Sequence, residues 1–255
     1  MRRAESRPRR LLERLLADGL VVAALALWWL TARGLPAFVL PSPTEVGEAL
    51  LRLFTLRDFA AHTLTSTLRV VISVVLAVVI GTALAVAADR SAALSAILQR
   101  RLLPLLNSFP AIAWAILAAI WLPPGDLGVV LVEVLILLPF CLVNLTEGLR
   151  ALDRETLEMA RSFTHSRLLL VRKVLLPLLF PYLVAAIRIS YGVAWKVALV
   201  AELFGADRGL GYLMLRAQVS SDSATVFATC FAIVIIFVAG EKLVIDPLAR
   251  LVPAE

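Results

Sequence analysis

The sequence predicts an all-α integral membrane protein with six transmembrane helices. Of its 255 residues, 61% are hydrophobic and only 17% carry a charge, whereas about 25% of the residues in a soluble domain are charged. The charges also leave gaps of 19, 24 and 18 uncharged residues, at 70–88, 102–125 and 223–240. One helical crossing of a bilayer needs about 20 apolar residues, so each gap predicts one crossing.

Three further crossings are less regular. The segment 127–146 is interrupted only by Glu133, and the segment 176–204 contains three charged residues. The first crossing has only 14 uncharged residues, between Asp18 and Arg33, a length that also fits the core of a signal peptide. We predict a retained helix, because Trp28 and Trp29 suit a membrane interface. The predicted crossings are 19–36, 68–88, 102–122, 127–146, 176–204 and 224–242.

The distribution of basic residues predicts the orientation. If the N-terminus is cytoplasmic, the inner segments 1–18, 89–101, 147–173 and 241–255 hold 17 of the 25 Lys and Arg residues, and the outer segments hold 5. This asymmetry follows the positive-inside rule. Both termini are therefore predicted to be cytoplasmic. The net charge of +6 then reflects membrane topology and contact with lipid headgroups, not a nucleic-acid partner.

Two segments between the crossings have helical signals of their own. Ser42-Pro43-Thr44-Glu45 is a capping box with proline at the first helical position, which predicts a short amphipathic helix over 43–53 on the external side. The inner loop 147–175 has a candidate N-cap at Asp153 and apolar residues at three-residue spacing. A break at 164–166 divides this loop into two predicted helices on the cytoplasmic face. Periodicity alone also allows an amphipathic helix that rests on lipid.

The sequence lacks the motifs of an enzyme. It has no G-x-x-x-x-G-K-[ST] phosphate-binding loop, and neither His62 nor His165 has a second His or Cys at metal-ligand spacing. Hydrolase motifs such as G-x-S-x-G are also absent. We therefore expect no catalytic residue, metal site or bound cofactor in this chain.

Ionisable residues inside a span are costly and indicate function. On the fifth span Arg188, Trp195 and Glu202 are seven residues apart and form one stripe. Tyr191 falls near this stripe, and Lys196 is adjacent to it. The stripe is a candidate path for a small anion. The alternatives are a structural ion pair between Arg188 and Glu133, and a role for Glu202 in anchoring the external loop.

The inner loop resembles a known motif. It reads Glu158-Met159-Ala160-Arg161-Ser162-Phe163-Thr164 and, after nine more residues, Val174-Leu175-Leu176-Pro177. This is similar to the EAA motif of the membrane subunits of bacterial ABC importers. Thr164 replaces the usual turn glycine and Met159 replaces the first alanine. Because threonine adopts positive φ only at a cost, Thr164 predicts a different turn geometry or altered docking.

Three other segments indicate which branch of these permeases the chain resembles. LPSPTEV (40–46), AWKVALVAE (194–202) and GLGYL (209–213) resemble the nitrate, sulfonate and taurine branch of these permeases. The resemblance implies a type I importer in the inner membrane, with two permease subunits (we expect a homodimer), two ATPase subunits that bind ATP and Mg²⁺, and a periplasmic binding protein. It also implies a small anionic solute, in a branch of permeases that also serves bicarbonate, pyrimidine precursors and aromatic acids.

The resemblance assigns roles to residues. The residues implied in coupling to the ATPase are Asp153, Glu158, Ala160, Arg161, Thr164, Leu176 and Pro177. The residues implied on the binding-protein side are Pro41, Ser42, Pro43, Gly209, Gly211 and Tyr212. The competing hypotheses are a stand-alone secondary transporter or channel, an intramembrane enzyme, and an exporter subunit.

Overall fold

The computed structural model describes residues 7–152, 154–164 and 166–251, and all regular secondary structure in these ranges is helical. The helices are α1 (Arg7–Ala32), α2 (Pro43–Thr55), α3 (Arg57–Arg90), α4 (Ala92–Ser108), α5 (Ala111–Trp121), α6 (Asp126–Ala151), α7 (Arg154–Phe163), α8 (167–205), α9 (Leu210–Val219) and α10 (Ser223–Arg250). A chain this apolar satisfies its backbone within helices because lipid offers no hydrogen-bond partners.

Four of the described helices, α3, α6, α8 and α10, are long and apolar enough to cross a membrane. The pair α4 and α5 makes a fifth candidate. The first predicted crossing corresponds to α1, whose apolar part, Asp18–Ala32, is shorter than a full span. That helix ends at Ala32 and not at residue 36, since Gly34 and Pro36 follow within four residues.

The predicted crossing over 102–122 is not one continuous helix. Helix α4 ends at Ser108, and α5 begins at Ala111 after a bend of 86°. The physical cause is Pro110, whose ring disfavours helical backbone at the residue before it. Phe109 accordingly has φ −85° and ψ 125°.

The chain divides into two compact units. The first contains the described residues up to Phe59 together with Met214–Ala232. In this unit the Trp28 indole stacks against Phe227 and Phe231, with ring centroids 6.0 and 6.3 Å away, and its Nε1 donates to the carbonyl of Pro41 at 3.0 Å.

In the same unit α2 begins as the sequence predicts. The Ser42 hydroxyl accepts from the backbone N–H of Glu45, and the Glu45 carboxylate accepts from the backbone N–H of Ser42 at 2.7 Å. The capping box is therefore complete and satisfies donors that the helix start leaves free. The helix runs to Thr55, two residues beyond the predicted end.

The second unit contains Ala60–Leu213 and the residues from Ile233 onward. Its core lies between α5, α6 and α8 and consists mainly of small side chains: Ala115, Ala118, Val129, Val132, Val197 and Ala201. Small residues let membrane helices approach closely. Gly148 on α6 likewise leaves room for the ring of Tyr182 on α8, because a Cβ at position 148 would lie 2.7 Å from that ring.

Within the described residues of this unit, three helices contain a π turn, at Leu98–Leu102, Val171–Leu175 and Glu241–Ile245. Each π turn ends two residues before a proline: Pro104, Pro177 and Pro247. Proline lacks an N–H, and its ring collides with the carbonyl four residues earlier in a regular α-helix. In all three cases the residue before the proline donates to the carbonyl five residues back, as Leu103 does to Leu98. The wider turn lets the helix continue past the proline.

Candidate translocation and coupling sites

A buried arginine lies at the centre of a polar network in the second unit. Arg69 on α3 is only 2% exposed, and its Nη1 donates to Glu202 Oε1 on α8 and to the carbonyl of Arg208, both at 2.8 Å. Its Nε donates to Asp126 Oδ1 at 2.8 Å. Glu202 is 1% exposed, whereas Asp126 at the start of α6 is 73% exposed. Arg69 therefore joins α3, α6 and α8 through charged hydrogen bonds.

The same network holds the start of α9. Three consecutive backbone N–H groups donate to side chains: Gly209 to His62 Nδ1 at 2.9 Å, Leu210 to Ser66 Oγ at 2.8 Å, and Gly211 to Glu202 Oε2 at 2.8 Å. Ser66 in turn donates to Glu202 at 2.7 Å. These side chains satisfy N–H groups that a helix start leaves without partners. A carboxylate here is also favoured by the helix dipole.

The two glycines of the GLGYL segment are required by this packing. Gly209 has φ +117°, a backbone conformation that favours glycine. A Cβ at Gly211 would lie 2.7 Å from both Glu202 Cβ and the carbonyl oxygen of Leu199. Tyr212, which follows them, stacks on His62 with ring centroids 6.0 Å apart. Among the residues predicted for the binding-protein side, these two glycines therefore pack against Glu202.

The other three residues of that predicted set, Pro41, Ser42 and Pro43, lie in the first unit. They form the start of α2, with Pro41 fully buried and Ser42 serving as the N-cap. The side chains that α2 exposes near its beginning belong to Thr44, Glu45 and Glu48.

Arg69 is not among the predicted site residues, because in the sequence it marks the charged boundary of a span. A signal was present: His62, Ser66, Arg69 and Ser73 follow at spacings of four, three and four, which is one face of a helix. The suggestion that Glu202 anchors the loop after the fifth span agrees with the hydrogen bond between Glu202 and Gly211.

The candidate path residues of α8 have different environments. Arg188 is 52% exposed, and its Nη2 lies 3.5 Å from Glu241 and 3.4 Å from Asp246 on α10. Tyr191 donates to the carbonyl of Phe237 at 3.0 Å. Trp195 is buried, Lys196 is exposed, and Glu202 belongs to the Arg69 network.

The alternative ion pair between Arg188 and Glu133 is not formed. Arg188 pairs with α10 instead, because the last turns of that helix bring two carboxylates to it. Glu133 is fully buried in α6, and its carboxylate faces the buried Ser73 hydroxyl on α3.

The predicted cytoplasmic loop forms a helix, a turn and a second helix. Helix α7 ends at Phe163, and α8 begins at residue 167. The prediction of two short helices is correct only for the first, because the π turn before Pro177 lets the second continue to Gly205. Leu176 and Pro177 are exposed where α-helical geometry resumes. Asp153 and the side chain of Arg161 lie outside the described residues.

The turn at Thr164, where the EAA motif usually has glycine, is held by side-chain hydrogen bonds. The Thr164 hydroxyl accepts from the backbone N–H of Ser166 at 3.1 Å, and the Ser166 hydroxyl accepts from Leu169 at 3.4 Å. Among the described residues only Ser221 is a non-glycine with positive φ, so Thr164 does not adopt the conformation that glycine would favour. Around this turn Glu158, Met159, Phe163 and Leu168 are exposed, whereas Ala160 is half-buried.

Comparisons with known proteins agree with this architecture. The family model described as "Binding-protein-dependent transport system inner membrane component" matches residues 77–251. A putative aliphatic sulfonates transport permease of Escherichia coli is 31% identical over 78% of this chain and 76% of its own. The riboflavin transport system permease of Chloroflexus aurantiacus is 34% identical over 83% and 80%.

A solved structure supports the fold. The inward-facing methionine ABC transporter MetNI is 18% identical, with a TM-score of 0.56 over 76% of this chain and 96% of that one. The hypotheses of a secondary transporter or channel, an intramembrane enzyme and an exporter are excluded by the family match. This chain belongs to the inner-membrane components of binding-protein-dependent transport systems, and it is the permease subunit of an ABC importer.

Proposed function

We propose that this chain, paired with a second copy of itself, forms the path for a small anionic solute such as an organosulfonate, taurine or nitrate. A periplasmic binding protein delivers the solute, and two ATPase subunits drive transport from the cytoplasm. Both termini lie in the cytoplasm in this proposal. A dimer is proposed because the core between α5, α6 and α8 is closely packed around small side chains, so the path is expected to lie between two copies of the chain.

The observation that carries the proposal is the continuity of α8. Its apolar stretch, Leu168–Gly205, spans 38 residues, or roughly 57 Å at 1.5 Å per residue. The helix begins directly after the turn of the EAA motif and contains Arg188 and Lys196. Glu202 lies in its last turn. A displacement of α7 by the ATPase would therefore move the path residues together with the Arg69 network. This arrangement suits a two-state element that ATP biases at one end and the loaded binding protein at the other.

The proposed docking surfaces follow from exposure. On the ATPase side we propose Glu158, Met159 and Phe163, with Asp153, Ala160, Arg161, Thr164, Leu176 and Pro177 completing the coupling segment. On the binding-protein side we propose the start of α2 and the GLGYL segment, where Gly209 and Gly211 shape the loop and Tyr212 contributes a partly exposed ring.

The proposed substrate class depends on charge and on the names of relatives. Arg188 and Lys196 are cations on one helix, and one relative is named for aliphatic sulfonates. Another relative is named for riboflavin, which makes a flavin the competing substrate. Transport assays in liposomes with the complete complex would separate the two. Taurine or an alkanesulfonate should be taken up, and riboflavin uptake without sulfonate uptake would contradict the anion proposal.

Coupling is tested by substitutions in α7. Glu158→Lys or Ala160→Asp should abolish solute uptake while ATP hydrolysis by the complex continues and the permease stays folded in the membrane. Asp58→Lys is the matched control, because Asp58 is also an exposed acid on a helix but lies on the predicted external side. Normal uptake by both α7 variants would overturn the coupling role. A complex with one permease per pair of ATPases would overturn the homodimer.

A further inference from the structure

A large cavity lies in the second unit where α3, α6, α7 and α8 come together. Its volume is about 840 Å³, and none of the candidate path residues lines it. Much of its wall is aliphatic, including Leu152, Leu170, Leu175, Leu176, Leu179 and Leu183. This cavity is therefore separate from the proposed solute path and has the wrong polarity for a small anion.

The cavity changes in polarity along its length. On α3 it extends from Thr82 to Arg90, which is roughly 12 Å of helix. At the Thr82 end the wall is apolar, since the Thr82 hydroxyl donates to the carbonyl of Val78 in its own helix at 2.6 Å. Asp89 and Arg90 lie at the other end of this stretch of α3, and Arg150 and Glu158 are the other charged residues that line the cavity.

The four charged residues are available to a ligand. Asp89, Arg90, Arg150 and Glu158 are all exposed, and no ion pair joins any two of them in the described structure. Guanidinium groups such as those of Arg90 and Arg150 bind phosphate oxygens with paired hydrogen bonds. The carboxylate of Asp89 matches a primary ammonium, which has three donors. The mouth of the cavity therefore suits a group that carries both a phosphate and an amine.

We propose that this cavity binds one phospholipid with a primary-amine headgroup, of the phosphatidylethanolamine class. An acyl chain lies along the leucines, the phosphate contacts Arg90 and Arg150, and the ammonium contacts Asp89. The charged mouth lies at the helix ends predicted to face the cytoplasm, so the lipid comes from the cytoplasmic leaflet, where basic pockets between helices bind headgroups. This assignment of the leaflet rests on the proposed orientation. Since Glu158 of α7 also lines the cavity, the bound lipid lies next to α7.

The test measures lipid binding by the permease without its ATPase. The protein is reconstituted into nanodiscs of phosphatidylethanolamine, phosphatidylglycerol and phosphatidylcholine in equal amounts, released, and examined by native mass spectrometry. We expect one retained phosphatidylethanolamine per chain. Retention of no lipid, or equal retention of the three classes, would overturn the proposal.

Two substitutions and their matched controls locate the site. Leu183→Trp fills the apolar end and Arg150→Gln removes a phosphate contact, so each should lower retention at least tenfold. Leu178→Trp and Arg101→Gln change exposed residues of the same types that do not line the cavity, and they should leave retention unchanged. Equal loss in variants and controls would contradict the site. If Leu183→Trp does not fold, Arg150→Gln still tests the site, because Arg150 is exposed.

The lipid measurement is independent of transport. Because the ATPase is absent, a failure of the coupling proposal leaves the retention result unaffected. Conversely, a result without lipid specificity would not affect the interpretation of the α7 variants that test coupling.

Discussion

Arg69 and Glu202 form an ion pair at 2.8 Å between side chains that are 2% and 1% exposed, although 132 residues separate them in the chain. The pair joins the third and eighth helices at the point where the chain turns into α9. Because both charges are removed from water, each depends on the other and on the surrounding hydrogen bonds. The pair therefore fixes a loop geometry that no local sequence rule specifies.

Removal of Arg69 should be strongly destabilising. Arg69→Gln leaves Glu202 buried without its charged partner, and we expect a loss of about 3–5 kcal/mol in the free energy of unfolding. The control is Arg52→Gln, which removes the exposed partner of Glu48 and should cost less than about 1 kcal/mol. Denaturant unfolding in detergent micelles measures both. Similar losses for the two variants would show that the Arg69 network is not a stabilising element.

The GLGYL segment should not tolerate a methyl group. In Gly211→Ala the new Cβ meets Glu202 and a backbone carbonyl at 2.7 Å, and overpacking of this kind costs about 1–3 kcal/mol. Gly47→Ala in α2 is the control, since nothing lies within 4 Å of its Cβ position, and it should stabilise by about 0.5–1 kcal/mol. Thermal unfolding of the two variants should therefore shift in opposite directions.

The turn at residue 164 should depend on a hydroxyl group. Thr164→Ala removes the acceptor for the Ser166 N–H, a loss of about 1 kcal/mol at the turn, whereas Thr164→Ser retains it. We expect fewer solute molecules transported per ATP hydrolysed in the alanine variant and a normal ratio in the serine variant. If the two variants transported the same number of solute molecules per ATP hydrolysed, the Thr164 hydroxyl would have no role in coupling.

Arg188 should affect transport more than stability. Its contacts with Glu241 and Asp246 are long and half-exposed, so Arg188→Gln should change the unfolding free energy by less than about 1 kcal/mol. If the residue lies on the solute path, uptake falls while the protein remains folded. Arg250→Gln, an exposed arginine near the end of α10, is the control. Normal uptake by Arg188→Gln would remove this residue from the path.

The start of α2 should respond to acid. Hydrogen bonds from the backbone and side chain of Ser42 hold the pKa of Glu45 below its ordinary value. Since the folded-state pKa is lowered, the stabilisation exists at neutral pH and is lost as the pH falls through the folded pKa. Between about pH 6 and about pH 3, thermal stability should fall further in the wild type than in Glu45→Gln. The control Glu48→Gln should follow the wild type.

Local rules predicted some elements well. The capping box at Ser42 and Glu45 specifies its helix start through contacts three residues apart, and the break after Phe163 follows from polar residues that interrupt the apolar spacing. The bend at Pro110 was also predictable from proline chemistry, but the count of uncharged residues gave no information on direction. The hydropathy of a segment indicates how long its apolar part is. It does not indicate whether the helix axis changes direction within that part.

The polar partners could not be predicted in the same way. Arg69 contacts residues from α6, α8 and the loop before α9, and Arg188 contacts the end of α10, so both environments depend on how distant helices pack. The sequence suggested an ion pair between Arg188 and Glu133 because both residues lie within predicted spans. Only the packed structure shows that Arg188 lies beside Glu241 and Asp246 instead.

The π turns at Leu98–Leu102, Val171–Leu175 and Glu241–Ile245 change how these helices align with the regular helices of relatives. Relative to a regular α-helix, a π turn is a single-residue insertion, and each added residue rotates everything beyond it by roughly 100°. A relative that lacks the proline at position 104, 177 or 247 should therefore also lack one residue in the preceding turn. An alignment that keeps these helices free of gaps would then assign lipid-facing positions of one protein to buried positions of the other.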